Sequence, residues 1–171
     1  QDKTKLICSN CEISNFLTLK NSSMGEARNF GIKNCNGNYI MFLDADDFYL
    51  KEKINFQVSI LKNNPSLDFV VNTSYILKNN QETFLGLKKF TTEKLKLHDY
   101  LEGKCYSLAA LCIRKDSLIK NNIYFNEGLK GFFGEDWSFQ LKMVSKQMNY
   151  EFFETPLLII KLRNDSFVKW I

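Results

Sequence analysis

The sequence predicts an α/β protein with a mixed, mostly parallel sheet flanked by helices. Apolar segments of strand length alternate along the chain with segments whose apolar residues recur at helical spacing. Several of the apolar segments are continuous, which is typical of strands that are buried on both faces in a parallel sheet. Neither an internal repeat nor a linker is present, so we expect one domain over residues 1–171.

The individual elements follow from local patterns. Ser23-Met24-Gly25-Glu26 has the capping-box pattern and predicts a helix from Met24 to about Cys35. The helical spacing of Ile54, Val58 and Leu61 predicts a helix over 50–63, which Asn64-Pro65 would end. Further helices are expected at 2–11, 91–101, from 115 and at 135–147, strands at 13–19, 39–43, 67–76, 106–114, 150–153 and 157–162, and a polar loop or hairpin at 77–89.

Composition excludes several classes of protein. Of the 171 residues 44% are hydrophobic, yet no apolar run approaches the roughly 20 residues of a membrane span. The polar first residues do not resemble a secretory signal, so we expect a cytoplasmic protein. Five scattered cysteines, an odd number, favour reduced thiols over a disulfide framework. The net charge of +4 is mild and spread out, which is compatible with peripheral contact at the inner membrane face but predicts no nucleic-acid partner.

The most informative junction lies where the apolar segment 39–43 meets Asp44, Asp46 and Asp47. Ligands of α/β sheets gather at the carboxyl ends of strands, which is where these carboxylates would lie. Such close carboxylates repel one another unless a cation lies between them, and oxygen ligands suit Mg²⁺ or Mn²⁺. The alternative is a solvated acidic turn that caps the next helix.

Three segments together carry a family resemblance. They are Ala27-Arg28-Asn29-Phe30-Gly31-Ile32, then Gly37 to Asp47 with its Asp44-Ala45-Asp46 element, and Gly134-Glu135-Asp136-Trp137. In this order they resemble the nucleotide-sugar glycosyltransferases of family 2, which have the Rossmann-like GT-A fold. The resemblance implies a metal-dependent, inverting, hexosyltransferase-type enzyme. Its donor would be a nucleotide-diphosphate sugar, and its acceptor a hydroxyl of a glycan or lipid-linked glycan in bacterial cell-surface polysaccharide synthesis.

The resemblance also implies roles for particular residues. The Asp-x-Asp element would bind the metal and the donor's ribose, with Asp46 as metal ligand and Asp44 as its metal or ribose partner; Asp47 is a weaker candidate. Asp136 would be the catalytic base, a role that suits a carboxylate at a loop-to-helix junction.

Four further residues receive supporting roles on the same basis. Glu135 and Trp137 would shape the site and the acceptor pocket, and Arg28 and Asn29 would bind the donor, since an arginine's planar fork suits a diphosphate. Gly25 and Gly31 would permit close approach. The alternatives are that Glu135 and Asp136 only favour the positive end of their helix, that Trp137 packs in the core and that Arg28 is a surface residue.

The resemblance does not extend to the family's first strands. Members usually begin with a strand and loop that hold the nucleotide base, followed by a second strand that ends in an aspartate-rich turn. This chain resembles the family only beyond both, so we expect an N-terminally truncated domain without the base-binding aspartate. Unpaired sheet edges would then favour self-association.

Two other functions compete with this hypothesis. The chain could be a non-catalytic, truncated glycosyltransferase-like module for binding or assembly. It could also be a phosphatase of the haloacid dehalogenase type, which likewise places Asp-x-Asp after an apolar strand, although Phe48 stands where threonine or valine is common. The Cys8 and Cys11 pair lacks the partners of a zinc site, and the solitary His98 supports no nucleophilic triad.

Overall fold

The structure is a computed structural model, and it describes residues 3, 7, 16–20, 22–78, 94–127 and 134–162. Its helices are α1 (Met24–Asn34), α2 (Lys53–Asn63), α3 (Leu97–Leu101), α4 (Lys115–Lys120) and α5 (Glu135–Ser145), with a 3₁₀ turn at Leu108–Ala110. Its strands are β1 (Tyr39–Ile40), β2 (Phe48–Tyr49), β3 (Phe69–Asn72), β4 (Tyr75–Lys78), β5 (Leu111–Arg114), β6 (Tyr150–Phe153) and β7 (Leu158–Leu162). Helices and strands are interspersed along the chain, although strands also follow one another directly at β1–β2, β3–β4 and β6–β7.

The described strands form two sheets. One has the order β1-β5-β3-β6 and the other the order β2-β7-β4. Two pairs, β3 with β6 and β4 with β7, are parallel, whereas the other three pairs are antiparallel. The mixed sheet is therefore confirmed, but it is less parallel than predicted. A continuous apolar run indicates that a strand is buried on both faces, but it does not indicate whether the neighbouring strand is parallel or antiparallel.

The predicted strand at 67–76 is two strands in two sheets. Asn72, Thr73 and Ser74 are all buried at the point where the chain passes from β3 to β4. The Thr73 amide donates to the Phe153 carbonyl over 3.1 Å, and the Asn72 side chain donates to the Thr155 carbonyl over 3.1 Å. The Thr73 backbone amide and the Asn72 side-chain NH₂ group therefore find partners at the change of sheet, whereas Asn72 Oδ1 and Thr73 Oγ1 are buried without a hydrogen-bond partner among the described residues.

Other element predictions differ at their boundaries. The described part of the predicted strand at 13–19 is not a strand, and its apolar side chains Phe16, Leu17 and Leu19 are exposed. The strand at 106–114 is instead the 3₁₀ turn followed by β5, the helix at 91–101 starts only at Leu97, and β2 was not predicted. The helix at 2–11, most of the loop at 77–89, and Cys8 and Cys11 lie outside the described residues.

The core packs the sheets against the helices that carry the polar motifs. The rings of Phe69 and Tyr150 stack between neighbouring strands with centroids 4.5 Å apart. The rings of Phe125 and Phe139 stack at 4.0 Å, which fixes α5 against the segment that follows α4. Phe42, just before the acidic turn, contacts both of these rings edge-on at 5.4 and 6.1 Å. One aromatic cluster therefore positions the acidic turn and α5 relative to each other. None of the helices in the described residues has the length and apolar character needed to cross a bilayer.

The two glycines of α1 differ in their surroundings, and this yields a matched prediction. A methyl group on Gly25 would lie 2.7 Å from the backbone oxygen of Asn126, whereas one on Gly31 would meet no atom of the described residues within 4 Å. The close approach at Gly25 is thus to the protein's own backbone, and close approach at Gly31 stays a prediction. We expect Gly25→Ala to lower the free energy of unfolding by about 1–3 kcal/mol through overpacking. Gly31→Ala should raise it by about 0.5–1 kcal/mol because alanine favours the helix.

Urea denaturation of the two variants beside the parent chain checks this prediction. Both substitutions add one methyl group to the same helix, so a difference in sign isolates the contact with Asn126. Equal changes in the two variants would contradict it.

Candidate functional site

Helix α1 begins with the predicted capping box. The Ser23 hydroxyl accepts from the Glu26 amide over 3.1 Å, and the Glu26 carboxylate accepts from the Ser23 amide over 2.6 Å. This reciprocal pair fixes where the helix starts and therefore which side chains leave each of its faces. One turn later Arg28 and Asn29 leave the helix in different directions, toward the acidic segments and into the protein respectively.

The acidic turn gives its three carboxylates different surroundings. The Asp47 amide donates to the Asp44 carbonyl over 3.1 Å and closes the turn. Asp44 is 60% exposed, while Asp46 and Asp47 are half-buried. An Asp47 carboxylate oxygen accepts from the Lys161 amide of β7 over 3.1 Å, and burial raises the Asp47 pKa to about 6. Asp47 therefore ties the turn to the second sheet, while the charges of Asp44 and Asp46 add to the rise of its pKa.

The metal expected at this turn would have to rely on few protein ligands. Within the described part of the chain, no three acidic, histidine or cysteine side chains lie close enough together to hold a metal ion. Mg²⁺ is commonly held by one or two carboxylates together with the phosphates of its substrate. Asp44 and Asp46, on either side of Ala45, match this smaller requirement. Their binding of a metal stays a prediction.

Helix α5 begins at the second acidic segment. Gly134 precedes it with φ of 137°, a conformation that side-chain-bearing residues rarely adopt. The Glu135 side chain is 10% exposed and that of Asp136 is 34% exposed. Burial raises the Asp136 pKa to about 6; Arg28 acts in the opposite direction, and the charges of Glu135 and Asp44 raise it further. A carboxylate whose pKa is near 6 is a stronger base than an ordinary aspartate.

Arg28 joins the two acidic segments. Its Nη1 lies 2.5 Å from Asp136 Oδ1 and 3.3 Å from Glu135 Oε1, and its Nη2 lies 3.4 Å from Asp44 Oδ1. The guanidinium also lies over the Phe125 ring, 5.4 Å from its centroid. The structure thus brings together four of the predicted site residues, although they come from three separate parts of the sequence.

Two predicted site residues are used within the protein. Asn29 is buried, and its amide donates to the Phe125 carbonyl over 3.0 Å and to Glu127 Oε1 over 2.9 Å while accepting from the Phe125 amide over 2.8 Å. The Trp137 indole N–H donates to the Tyr100 carbonyl over 2.6 Å and so ties α5 to α3. The hydrogen-bonding groups of both side chains are thus used to hold together the elements that surround the site. A direct contact of either with a donor or acceptor stays a prediction.

Lys142 was not found by reasoning from the sequence. From α5 it donates to the Tyr124 carbonyl over 2.8 Å and to Asn126 Oδ1 over 2.5 Å. Together with Asn29 on α1, it holds the segment 124–127 between the two helices that carry Arg28 and Asp136. A lysine in the middle of an amphipathic helix carries no sequence signal for such a contact.

Known protein families and sequences are similar to this chain. The model of the family described as "Glycosyl transferase family 2" matches residues 1–121. An uncharacterised glycosyltransferase of Rickettsia typhi is 30% identical over 136 residues, which are 74% of this chain and 41% of the relative. The amylovoran biosynthesis glycosyltransferase AmsE of Erwinia amylovora is 23% identical over 148 residues, which are 86% of this chain and 53% of AmsE. The chain spans about half or less of the length of such relatives.

Solved structures support the fold independently. S. aureus TarS in complex with UDP-GlcNAc superposes with a TM-score of 0.69 at 20% sequence identity, over 95% of this chain and 47% of TarS. At this identity the likeness shows the fold alone, and it confirms the GT-A-type prediction. The family model covers well over half of the residues, so the evolutionary relationship does not depend on the superposition. The chain therefore belongs to glycosyl transferase family 2.

Proposed function

We propose that the chain is the core of a metal-dependent, inverting glycosyltransferase that moves a sugar from a nucleotide-diphosphate donor to a hydroxyl acceptor. The observation that carries this proposal is the convergence of Asp44 and Asp136 on one Arg28 guanidinium, at 3.4 and 2.5 Å. A transferase of this class needs a donor subsite and a base within reach of one reacting carbon. Here Asp44, which is suited to the donor subsite, and Asp136, which is suited to act as the base, contact the same Arg28 guanidinium.

The base is the first component of the proposed reaction. An Asp136 carboxylate oxygen takes the proton of the acceptor hydroxyl as that oxygen forms its bond to the anomeric carbon. The bond from this carbon to the diphosphate oxygen breaks, its electron pair stays with the nucleoside diphosphate, and the configuration at the carbon is inverted. The half-buried setting of Asp136 supports this role, because it raises the pKa to about 6 while leaving the carboxylate reachable.

The metal is the second component. Asp46 and Asp44 would hold Mg²⁺ or Mn²⁺, and a bound divalent cation neutralises charge on a departing diphosphate. Asp44 is mostly exposed and so is accessible to a metal ion as well as to the guanidinium. Asp46 lies at the centre of the same turn.

The donor and acceptor classes are proposed from the relatives. TarS binds UDP-GlcNAc in its crystal structure, and AmsE is named for amylovoran biosynthesis. We extend a UDP-sugar donor and a glycan or lipid-linked glycan acceptor of a bacterial surface polysaccharide to this chain. The mild positive charge of +4 supports work on such anionic substrates in the cytoplasm, with peripheral contact at the inner membrane face.

A thermal-melt panel tests the donor site. The chain is heated with UDP, GDP, CDP or dTDP, each with and without Mn²⁺, beside Asp46→Ala and the control Asp116→Ala. Asp116 is an exposed acid in α4, outside the site. At 100 times its dissociation constant a ligand adds about 2.7 kcal/mol, which should raise the melting temperature by roughly 5–10 °C in a domain of this size.

The expected pattern is a metal-dependent rise for one nucleotide that is lost in Asp46→Ala and kept in Asp116→Ala. That result would assign both the nucleotide base and the metal ligand. No rise with any nucleotide would contradict a donor site in this chain. A rise of equal size without metal, or in Asp46→Ala, would overturn the role of the acidic turn.

A further inference from the structure

We propose that Arg28 is a positioning residue for Asp136, the proposed catalytic base. Arg28 holds the Asp136 carboxylate in place and favours its ionised form. The inference deepens the proposed function and rests on it for the identity of the base. A role for Arg28 in donor binding alone does not explain its contacts, since its shortest one is to Asp136 and not to the donor turn.

The contacts of the guanidinium use its planar fork. Nη1 lies 2.5 Å from Asp136 and 3.3 Å from Glu135, while Nη2 lies 3.4 Å from Asp44. A lysine offers one ammonium group at the end of a flexible stem and could not hold this geometry on both sides. The arginine side chain is only 14% exposed, so solvent screens these ion pairs less than pairs on the open surface.

Arg28 is itself held in place on several sides. Its guanidinium lies 5.4 Å from the centre of the Phe125 ring, and the neighbouring Asn29 makes three hydrogen bonds to the segment 125–127. Gly25 allows α1 to approach the Asn126 backbone closely. The segment 125–127 therefore sets the position of the Arg28 guanidinium. Because Arg28 is restrained in this way, we expect its ion pair with Asp136 to persist.

The charges around the base give Arg28 its electrostatic task. Burial and the carboxylates of Glu135 and Asp44 all favour the protonated form of Asp136, whereas Arg28 favours the ionised form. Only the ionised form can accept a proton from the acceptor. Without the cation, three neighbouring carboxylates would face one another and the base would hold its proton at higher pH.

Carboxyl-carbon NMR titration of the purified chain tests the proposal without any activity measurement. The Asp136 signal is assigned by its loss in Asp136→Asn, and its midpoint is compared between the parent chain, Arg28→Met, Arg28→Lys and Lys33→Met. Lys33 is an exposed cation on the same helix, over the Tyr124 ring, and serves as the matched control. We expect the midpoint to rise by about one pH unit or more in Arg28→Met. It should rise by less in Arg28→Lys and stay unchanged in Lys33→Met.

The outcomes separate this proposal from the proposed function. An unchanged midpoint in a folded Arg28→Met chain would overturn the positioning role while leaving the transferase proposal intact. If Arg28→Met fails to fold, Arg28→Lys decides, because the positioning role requires a raised midpoint there too. Where transfer can be measured, the acidic limb of kcat/KM should move to higher pH with the midpoint. A uniform loss at all pH values would point to a purely structural role.

Discussion

Replacing Asp136 with asparagine should abolish sugar transfer while leaving nucleotide binding nearly intact. The amide has the shape of the carboxylate but cannot accept the acceptor's proton, and general-base catalysis contributes about 10²- to 10⁴-fold in rate. Asp44 and Asp46, the proposed ligands of the metal and donor, lie on a separate segment that is linked to Asp136 through Arg28, so we expect them to stay in place. Transfer rates and nucleotide-induced melting shifts, measured on the same preparation, check the two halves of this expectation.

The pH dependence of transfer follows from the same carboxylate. Burial raises the Asp136 pKa to about 6, and the base works only when deprotonated. We therefore expect kcat/KM to fall about tenfold per pH unit below 6 and to level off above it. With the pKa of an ordinary exposed aspartate, the fall in kcat/KM would begin about two pH units lower.

The control for this experiment is Asp116→Asn, which removes an exposed carboxylate from α4 and should leave both rate and binding unchanged. Full activity in Asp136→Asn would remove Asp136 from the mechanism. A parent chain that binds nucleotide with metal yet transfers no sugar to any acceptor would instead favour the non-catalytic binding or assembly module.

The parts of the site that could be predicted from sequence are those fixed by local chemistry. The capping box at Ser23 and Glu26 specifies its own hydrogen bonds within one turn, so the start of α1 is set by neighbouring residues. The start of α5 after Gly134 is equally local, because a backbone φ of 137° requires glycine. These two starts fix the positions of Arg28 and Asp136 on their helices, whereas the contact between the two side chains was not predicted.

The remaining parts depend on tertiary contacts that have no local signature. Asp47 resembles its neighbours in sequence, yet the neighbouring strand β7 gives its carboxylate a backbone amide as partner. Asn29 turns into the protein because Phe125 and Glu127 lie against α1. Since such partners lie far away in sequence, a motif identifies which residues reach the site but not the direction in which each side chain points.

Helix α2 shows the same limit for the core. The apolar spacing of Ile54, Val58 and Leu61 predicted the helix correctly, but these three residues do not form its buried face, because Ile54 is 53% exposed. The fully buried face instead carries Lys53 and Gln57 together with Leu61. Lys53 Nζ donates to Gln57 Oε1 over 2.8 Å and to the Ala110 carbonyl over 3.2 Å. Lys53 and Gln57 lie four residues apart and hydrogen-bond to each other, which allows both polar side chains to be buried. A pattern of apolar residues alone does not predict such a pair.

The burial of Lys53 leads to a stability prediction with a definite sign. Its side chain is completely buried, its Nζ lies 5.0 Å from the centre of the Tyr49 ring, and burial lowers its pKa from 10.5 to about 7. Between these two values the unfolded chain holds a proton that the folded chain has released. The unfolded state therefore binds more protons in this window, and the free energy of unfolding rises with pH by at most about 1.4 kcal/mol per pH unit.

In Lys53→Met the source of this slope is removed, while a side chain of similar length still fills the space. We expect the stability of the parent chain to gain about 2–3 kcal/mol relative to Lys53→Met between pH 7 and 9, measured by urea denaturation at each pH. Lys62→Met, an exposed site in the last turn of the same helix, should leave the slope unchanged. Other titrating groups contribute equally to both chains and cancel in the difference, so parallel stability curves would mean that Lys53 keeps its proton in the folded state.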